Sequence, residues 1–489
     1  MRSKASASSI NENSLFSTFK GCHDVIIEEQ LWSIPSVHIM IVYSPGLCDL
    51  KHLNNEVLPM LNRLVENEGI SKLQHLENHW HQSTLVAVED LAEAVTSVFR
   101  GQLLLFIKKI SKAYVIDISD QPKREPTEPN TEFSIRGPRD GFIEDIGTNV
   151  ALIRKRLPTE NLKYEQFVVG RRGRTKIGLL FIEDIIKPEI VDEIRRRLSL
   201  IDVDAILNNN QLEELLSEKT YYYFPLLDYS GRPDYIVDSL LRGRFIVLMD
   251  GHPTAMVGPA NIMQFLKTSE DMEVSFVYAT FERLLRITGL FISAFLPGLW
   301  VALNMYHQNQ LPFILLANVV QARSGVPLPL VLEAIIMVIL FELLREAGAR
   351  LPVAFGQTLT VVGGLIIGDA AIRAGFTSPS MLVIIATSSV SSFTLINQSL
   401  VGLVSTLRLA TILICSFLGL YGLFICMFFV LYYLASVRTF GIPFLAPLQS
   451  KDLYQAWSAI IRFPWRKVSR RPDFLDTQDK KRKGERNDS

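Results

Sequence analysis

Hydrophobic positions are spread along this chain in two unlike ways, and the change falls near Arg286. Before it, apolar residues alternate with charge at strand or helix spacing; after it, they gather into long runs. VHIMIVYSP (Val37 to Pro45) predicts a buried strand ending at a turn, and Leu53 to Asn67 an amphipathic helix. Val88 to Gly101 predicts a second helix with Gly101 as its stop. QLLLFI and KAYVIDI predict a hairpin. Residues 121 to 141, rich in proline and charge, read as a linker. A helix is expected from Pro138 to Leu157, where Phe142, Ile143, Ile146, Val150, Ile153 and Leu157 fall at helical spacing. A second α/β stretch follows, about Tyr164 to Lys267. In it TKIGLLFIEDI predicts a strand, KPEIVDEIRRRLSLI a helix with Pro188 near its start, and FIVLMDGHPTAMVGP two strands joined at Asp250-Gly251.

Beyond Arg286 four runs approach or exceed the roughly 20 residues that a spanning helix needs: Ile287 to Met305, Val326 to Leu344, Ser378 to Ser399 and Leu409 to Leu434. The N-terminus has no apolar leader, and the tail from Ser436 is basic, with KKRK at Lys480 to Lys483; both ends are expected in the cytosol. An even number of crossings follows. A fifth apolar stretch, Val353 to Ala371, is rich in Gly and Thr, so we expect it to cross incompletely or to line a polar space. The expected fold class is a two-subdomain α/β cytosolic region followed by an α-helical polytopic membrane domain. The divisions are 1–23 disordered, 24–120 first subdomain, 121–157 linker and linker helix, 158–275 second subdomain, 276–438 membrane domain and 439–489 basic cytosolic tail.

Composition changes this picture little. The 489 residues carry 50 basic and 50 acidic side chains, so net charge points to no partner and gives no sign of nucleic-acid binding. The mean hydropathy of +0.22 with 20% charged residues averages two different halves. Cys22, Cys48, Cys415 and Cys426 show no metal spacing and no disulfide framework, which fits a reducing compartment. His75 and His79 stand four apart, with His81 beside them, but no carboxylate or cysteine completes a zinc site there. Gly170 to Thr175 (GRRGRT) lacks the Gly-Lys-Ser/Thr of a phosphate loop and reads as a basic turn. No catalytic constellation is present; we expect neither an enzyme nor a cofactor.

Candidate chemistry concentrates between Phe341 and Gly375. Charges at membrane depth are costly and mark pathways or buried partners. Glu342, Arg345 and Glu346 stand before the Gly-rich stretch as gating or partner residues, with paired helix-end charges as the plainer reading. If Val353 to Ala371 is helical, at about 100° per residue, Gly364 and Gly368 fall on a small-residue side suited to close helix packing. The other side carries Thr358, Val362, Leu365 and Asp369. Repeated about an axis, these give hydroxyls, an apolar neck and an acidic ring favouring cations. The plainer reading puts that side against lipid or another helix, with Asp369 as a cap. In the linker helix, Arg154 and Arg156 are expected to stay available to a neighbouring chain.

RGPRDGFIEDIGTNVALIRKRL, FELLREAGARLP, GGLIIGDAA and FTSPSMLVIIATSSVSSF together resemble the A subunit of GerA-type bacterial spore germination receptors, from about residue 30 to 465. The resemblance implies a multi-pass protein of the spore inner membrane. It implies assembly with a transporter-like, nutrient-binding B subunit and a C-subunit lipoprotein, and a homo-oligomer acting as a nutrient-gated ion channel. A non-conducting scaffold is the alternative. A secondary transporter would show matched broken helices in two repeats, and none is visible.

Overall fold

The structure, a computed structural model, describes residues 10–32, 37–68, 85–108, 111–120, 137–217, 223–350, 366–395, 397–449, 453–466, 468 and 470–482. It forms two compact units. One comprises Met1–Thr220, Leu226–Pro259 and Arg466–Ser489; the other comprises Tyr221–Pro225 and Ala260–Trp465.

The first unit contains two antiparallel sheets. Strands β1 (Ile26–Trp32), β2 (Val37–Tyr43), β3 (Leu85–Val88), β4 (Gln102–Ile107) and β5 (Lys112–Asp117) lie in the order β1-β2-β4-β5-β3. Strands β6 (Leu162–Val169), β7 (Thr175–Ile182), β8 (Asp228–Ser230), β9 (Phe245–Met249) and β10 (Ala255–Gly258) lie in the order β6-β7-β9-β10-β8. Place for place the orders are the same. The helices match too. α1 (Glu12–Thr18) precedes β1, which corrects the expected disorder of 1–23 from Glu12 on, because Leu15 and Phe19 are buried in the core; α2 (Leu58–Glu68) and α3 (Leu91–Val98) flank β3. α4 (Ile146–Arg156) precedes β6; α5 (Pro188–Leu200), α6 (Asn209–Leu216) and α7 (Pro233–Leu241) flank β8. The unit is a duplicated α/β subdomain.

Strand alternation builds each layer. Ile39 and Ile41 on β2 turn to one face with Leu53, Val57 and Leu61. Met40 and Val42 turn to the other, with Leu15, Phe19, Val95 and Phe99. In the second sheet Leu180, Ile246 and Leu248 pack with Ile146, Val150 and Ile153 of α4 and with Ile236 and Leu240 of α7. Two helix starts differ from expectation because aspartates cap them. The Asp145 carboxylate accepts from Thr148 N at 2.6 Å, so α4 begins at Ile146 and not at Pro138. The Asp90 carboxylate caps α3, leaving Val88 in β3.

The two subdomains are joined at α4. Residues 21–23 run along the edge strand β6, with His23 N donating to Tyr164 O and Tyr164 N to Gly21 O, each at 3.0 Å. Arg154 is fully buried there. Its Nε and Nη2 donate to Asp24 at 2.6 and 3.0 Å, its Nη1 donates to Thr159 O, and its guanidinium lies over the Phe99 ring at 4.1 Å. Arg156 pairs with Asp140 at 2.6 Å. These arginines are therefore not free for a neighbour: Arg154 is a bolt between subdomains, buried because it answers Asp24. The segment after Arg466 belongs to this unit as well. Gln478 N donates to Ile185 O at 3.0 Å, Lys187 pairs with Asp476 at 3.0 Å and Arg482 with Asp238 at 2.6 Å. The Thr477 methyl lies over Gly243, whose φ is +92° and where a Cβ would approach it to 2.4 Å.

The second unit is helical: α8 (Phe276–Tyr306), α9 (Phe313–Arg323), α10 (Leu330–Arg350), α11 (Pro379–Ser392) and α12 (Gln398–Ser436), with a short helix at 366–373. Among the described residues two helices, α8 and Ser399–Ser436, are long and apolar enough to cross a membrane. The expected run Ser378 to Ser399 is interrupted: α11 ends at Ser392, and the Asn397 side chain caps a new helix by accepting from Ser399 N. The expected single span Leu409 to Leu434 is also corrected, because α12 is not one rod. Gly419 has φ +61° and ψ −140°, and Thr411 Oγ1 lies 3.6 Å from Cys426 Sγ, 15 residues away. A straight helix would hold those two about 22 Å apart. The chain therefore folds back at Gly419 into two antiparallel arms, which glycine alone allows without Cβ strain.

Two outcomes follow. Asp24→Asn leaves Arg154 buried without its counter-charge and should cost about 3–5 kcal/mol, read as a lower unfolding temperature of the full chain; Asp24→Leu with Arg154→Met should recover most of it. Thr411→Cys in a Cys415→Ser background should form a disulfide with Cys426 on mild oxidation, seen by peptide mass spectrometry. A straight α12 gives no such link.

Candidate functional site

Polar groups in the second unit collect at one level of α8. Pro297 lies inside that helix and has no N–H to give to the carbonyl four residues earlier, that of Ser293. Two side chains take the place of the missing donor. Arg408 Nε of α12 donates to Ser293 O at 3.0 Å, and Ser388 Oγ of α11 at 2.9 Å. Arg408 is 1% exposed. Its Nη1 donates to Ser389 Oγ at 3.1 Å and stands 3.6 Å from Glu342 of α10. Glu342 also pairs with Arg345 at 2.5 Å, and Arg345 Nη1 donates to Ser405 Oγ at 3.1 Å. Four helices thus meet through one carbonyl, one carboxylate and two guanidinium groups. Glycines permit the approach: a Cβ on Gly298 would meet Thr411 Cγ2 at 2.5 Å, and one on Gly289 would meet Thr394 Oγ1 at 2.3 Å.

A second buried acid lies toward the other end of α10. Glu333, 0% exposed, accepts from Ser378 N and Ser378 Oγ, each at 2.7 Å, and from Thr377 Oγ1 at 3.1 Å. It holds the start of α11 to α10, and Arg323 of α9 stands 3.8 Å away. A third polar knot fixes the start of α8. Asp271 accepts from Arg283 Nε at 2.7 Å and from Arg286 Nη2 at 2.5 Å, while Arg286 Nη1 donates to Leu266 O. Burial pushes the Asp271 carboxyl up, but the two arginines outweigh it and hold it below the usual carboxylate range.

The residues expected from sequence distribute as follows. Thr358, Val362, Leu365 and Gly364 lie outside the described residues, as do His75, His79 and His81. Asp369 is described: it is largely exposed and pairs with Arg373, one turn on, at 2.8 Å. Gly368 lies against Leu382 of α11, where a Cβ would meet Leu382 Cδ2 at 3.3 Å. Glu342 and Arg345 enter the buried cluster, whereas Glu346 pairs with Arg350 on the exposed side of α10. Arg154 and Arg156 belong to the first unit. GRRGRT forms the turn between β6 and β7, with Gly170 at φ +96°. Among the described residues no group of three His, Cys, Asp or Glu side chains is placed to hold a metal. Sequence reasoning missed Arg408, Ser293 and Glu333. A signal for Arg408 was present: a lone cation in a long apolar run marks a buried partner.

Known proteins resemble the chain over its whole length. It is 42% identical to Spore germination protein XA of Bacillus anthracis, over 98% of each chain. It is 33% identical to Spore germination protein KA of Bacillus subtilis (strain 168), over 94% of this chain and 85% of that one. It is 32% identical to Spore germination protein GerLA of Bacillus cereus, over 94% and 93%. The crystal structure of the N-terminal domain of the A subunit of the Bacillus megaterium spore germinant receptor GerK3 is similar at 24% identity with a TM-score of 0.41, covering 52% of this chain and 97% of that chain. Residues 13–474 match the family described as Bacillus/Clostridium GerA spore germination protein, and the chain belongs to that family.

Proposed function

We propose that this chain is the membrane subunit of a nutrient-sensing spore germination receptor, and that copies of it assemble into a cation channel. The observation that carries the membrane reading is an inverted distribution of polarity. In the second unit Arg408, Glu333 and Ser293 are buried, while Phe417, Phe424 and Phe428 are 78%, 65% and 64% exposed. In water that arrangement leaves a large apolar surface uncovered. In a bilayer it is the expected one, because charge must face inward and apolar groups lipid.

The two ends of the helical unit support an even number of crossings, and the bonds between helices give which of them are opposed. Ser405 and Arg408 meet Arg345 and Glu342, so α10 runs against the first arm of α12. Ser388 meets Ser293 and Thr394 meets Gly289, so α11 runs against α8. The chain leaves the first unit after Pro259 and rejoins it at Arg466, so both ends of the helical unit lead to one folded body. That body cannot lie on both sides of a membrane, and its basic tail favours the cytosol. The proposed setting is the spore inner membrane, beside a nutrient-binding, transporter-like B subunit and a C-subunit lipoprotein.

Residues 353–371 are the proposed pore segment. Arg350 ends α10, α11 opens after Ser378, and Asp369 stands exposed near that opening. Its pair with Arg373 lowers the field of an acidic ring, so the two side chains together would set selectivity. One observation favours the scaffold reading: the buried charges named above bond inward to other helices.

The sidedness test uses Lys20→Cys and Lys480→Cys, both at exposed positions, against native cysteines that are all buried. Labelling by an impermeant reagent from outside intact cells overturns the topology. For conduction, Val362→Ala should leak ions or trigger germination without nutrient, and Asp369→Asn should lower cation flux several-fold with assembly intact. If both assemble and gate as the parent does, this segment does not line the path.

A further inference from the structure

The Arg408 cluster has more donors than acceptors. Its charges are two guanidinium groups, Arg408 and Arg345, against the single carboxylate of Glu342, which leaves one positive charge over. Arg408 Nη2 is buried and has no hydrogen-bond partner among the described residues. Ser389 and Ser405 each accept a bond from an arginine and donate their own hydroxyl hydrogen to no described acceptor. Ser293 O, the one carbonyl of the cluster, is already taken by two donors. Glu342 Oε2 is held by Arg345, and Glu342 Oε1 is the only carboxylate oxygen near Arg408 among the described residues.

An uncompensated cation with an unpaired N–H inside an apolar bundle is costly. Water would answer the N–H but not the charge. A small anion answers both, taking the Nη2 hydrogens and neighbouring serine hydroxyls with one centre. The side chains of Glu342 and Arg345 are a quarter exposed, so the cluster opens to the unit's surface beside α10 and is not sealed. Among the described residues Glu342 is the one carboxylate beside Arg408, and Arg345 neutralises it.

We propose that the cluster between α8, α10, α11 and α12 is a binding site for a small monovalent anion, of which chloride is the natural example. The ion bridges Arg408 Nη2 and the hydroxyls of Ser389 and Ser405, and it ties α11 and α12 together as counter-ion to the arginine that replaces the missing helix donor. The site is independent of whether the chain conducts, since none of its residues belongs to the 353–371 segment.

The test uses the full-length protein in detergent at fixed ionic strength. Sodium gluconate is replaced stepwise by sodium chloride, with unfolding temperature and chloride-35 NMR line width as readouts. The parent should gain unfolding temperature saturably and broaden the chloride line. Ser389→Ala keeps every charge and should weaken the half-saturating chloride concentration about tenfold, the value of one lost hydrogen bond to an ion. Arg408→Gln should abolish both responses; if it does not fold, the serine variant still decides. Equal behaviour of the parent in gluconate and chloride means that only water occupies the cluster, and overturns the proposal. So does a chloride response that Ser389→Ala leaves unchanged, which would place the ion elsewhere.

Discussion

One missing hydrogen bond organises the helical unit. Pro297 cannot donate to the Ser293 carbonyl, and an orphaned carbonyl away from water costs several kcal/mol by order of magnitude. The chain answers with Arg408 and Ser388, and in doing so draws α12 and α11 onto α8 at one level. Arg408 then requires a counter-charge, and Glu342 brings in α10. Gly289 and Gly298 stand on either side of Ser293 along α8, where no side chain would fit between the backbones. In lipid the hydrophobic effect gives helices no reason to prefer one another over the solvent. Close backbone approach and polar bonds must then specify the arrangement, and both are gathered here.

The first unit is held by the opposite strategy. Its sheets bury Val, Ile, Leu and Phe side chains between helices, and the ion pairs buried beside them, such as Arg154 with Asp24 and Arg232 with Asp234, add to that apolar core. The duplication leaves each sheet with the same edges. Residues 21–23 cover the edge at β6, and the unpaired groups that would otherwise invite another strand are satisfied within the chain. Arg154 completes the seam. It is unusual in being fully buried, and it is stable there only because Asp24, Thr159 and the Phe99 ring meet every side of it.

Sequence reasoning reached the elements whose pattern is local. The β4–β5 and β9–β10 hairpins announce themselves by apolar runs about a short turn, and Pro188 opens α5 as its geometry requires. β1 and β6 escaped because the neighbouring polar residues Glu28 and Glu29, and Glu165 and Gln166, put polar side chains on both faces and mask the alternation of an edge strand. The duplication was invisible for a related reason: a shared strand order needs only a shared alternation, not shared residues. Gly419 escaped because it stands in an unbroken apolar run, where hydropathy cannot tell a rod from a hairpin. Of the candidate site, Glu342 and Arg345 were legible as charges at the end of a long apolar run. Arg408 was passed over because it stands just ahead of the run Leu409 to Leu434, and the role of Ser293 belongs to its backbone carbonyl, which no side-chain pattern can reveal.

The hairpin at Gly419 has a mechanical consequence. Because α12 turns back, its second arm ends where α8 begins. There Phe444 O accepts from Ile262 N at 3.1 Å, and Arg462 donates to Met272 O and Val274 O around the Asp271 knot. The first and last segments of the helical unit are thus fastened to each other before either rejoins the α/β unit. Had α12 been a rod, its far end would lie a helix length away and the two segments would move independently. Fastened in this way, the residues that open the helical unit after Pro259 and those that close it before Arg466 hold each other in place, so the bundle is closed by hydrogen bonds at the end where Asp271 is buried.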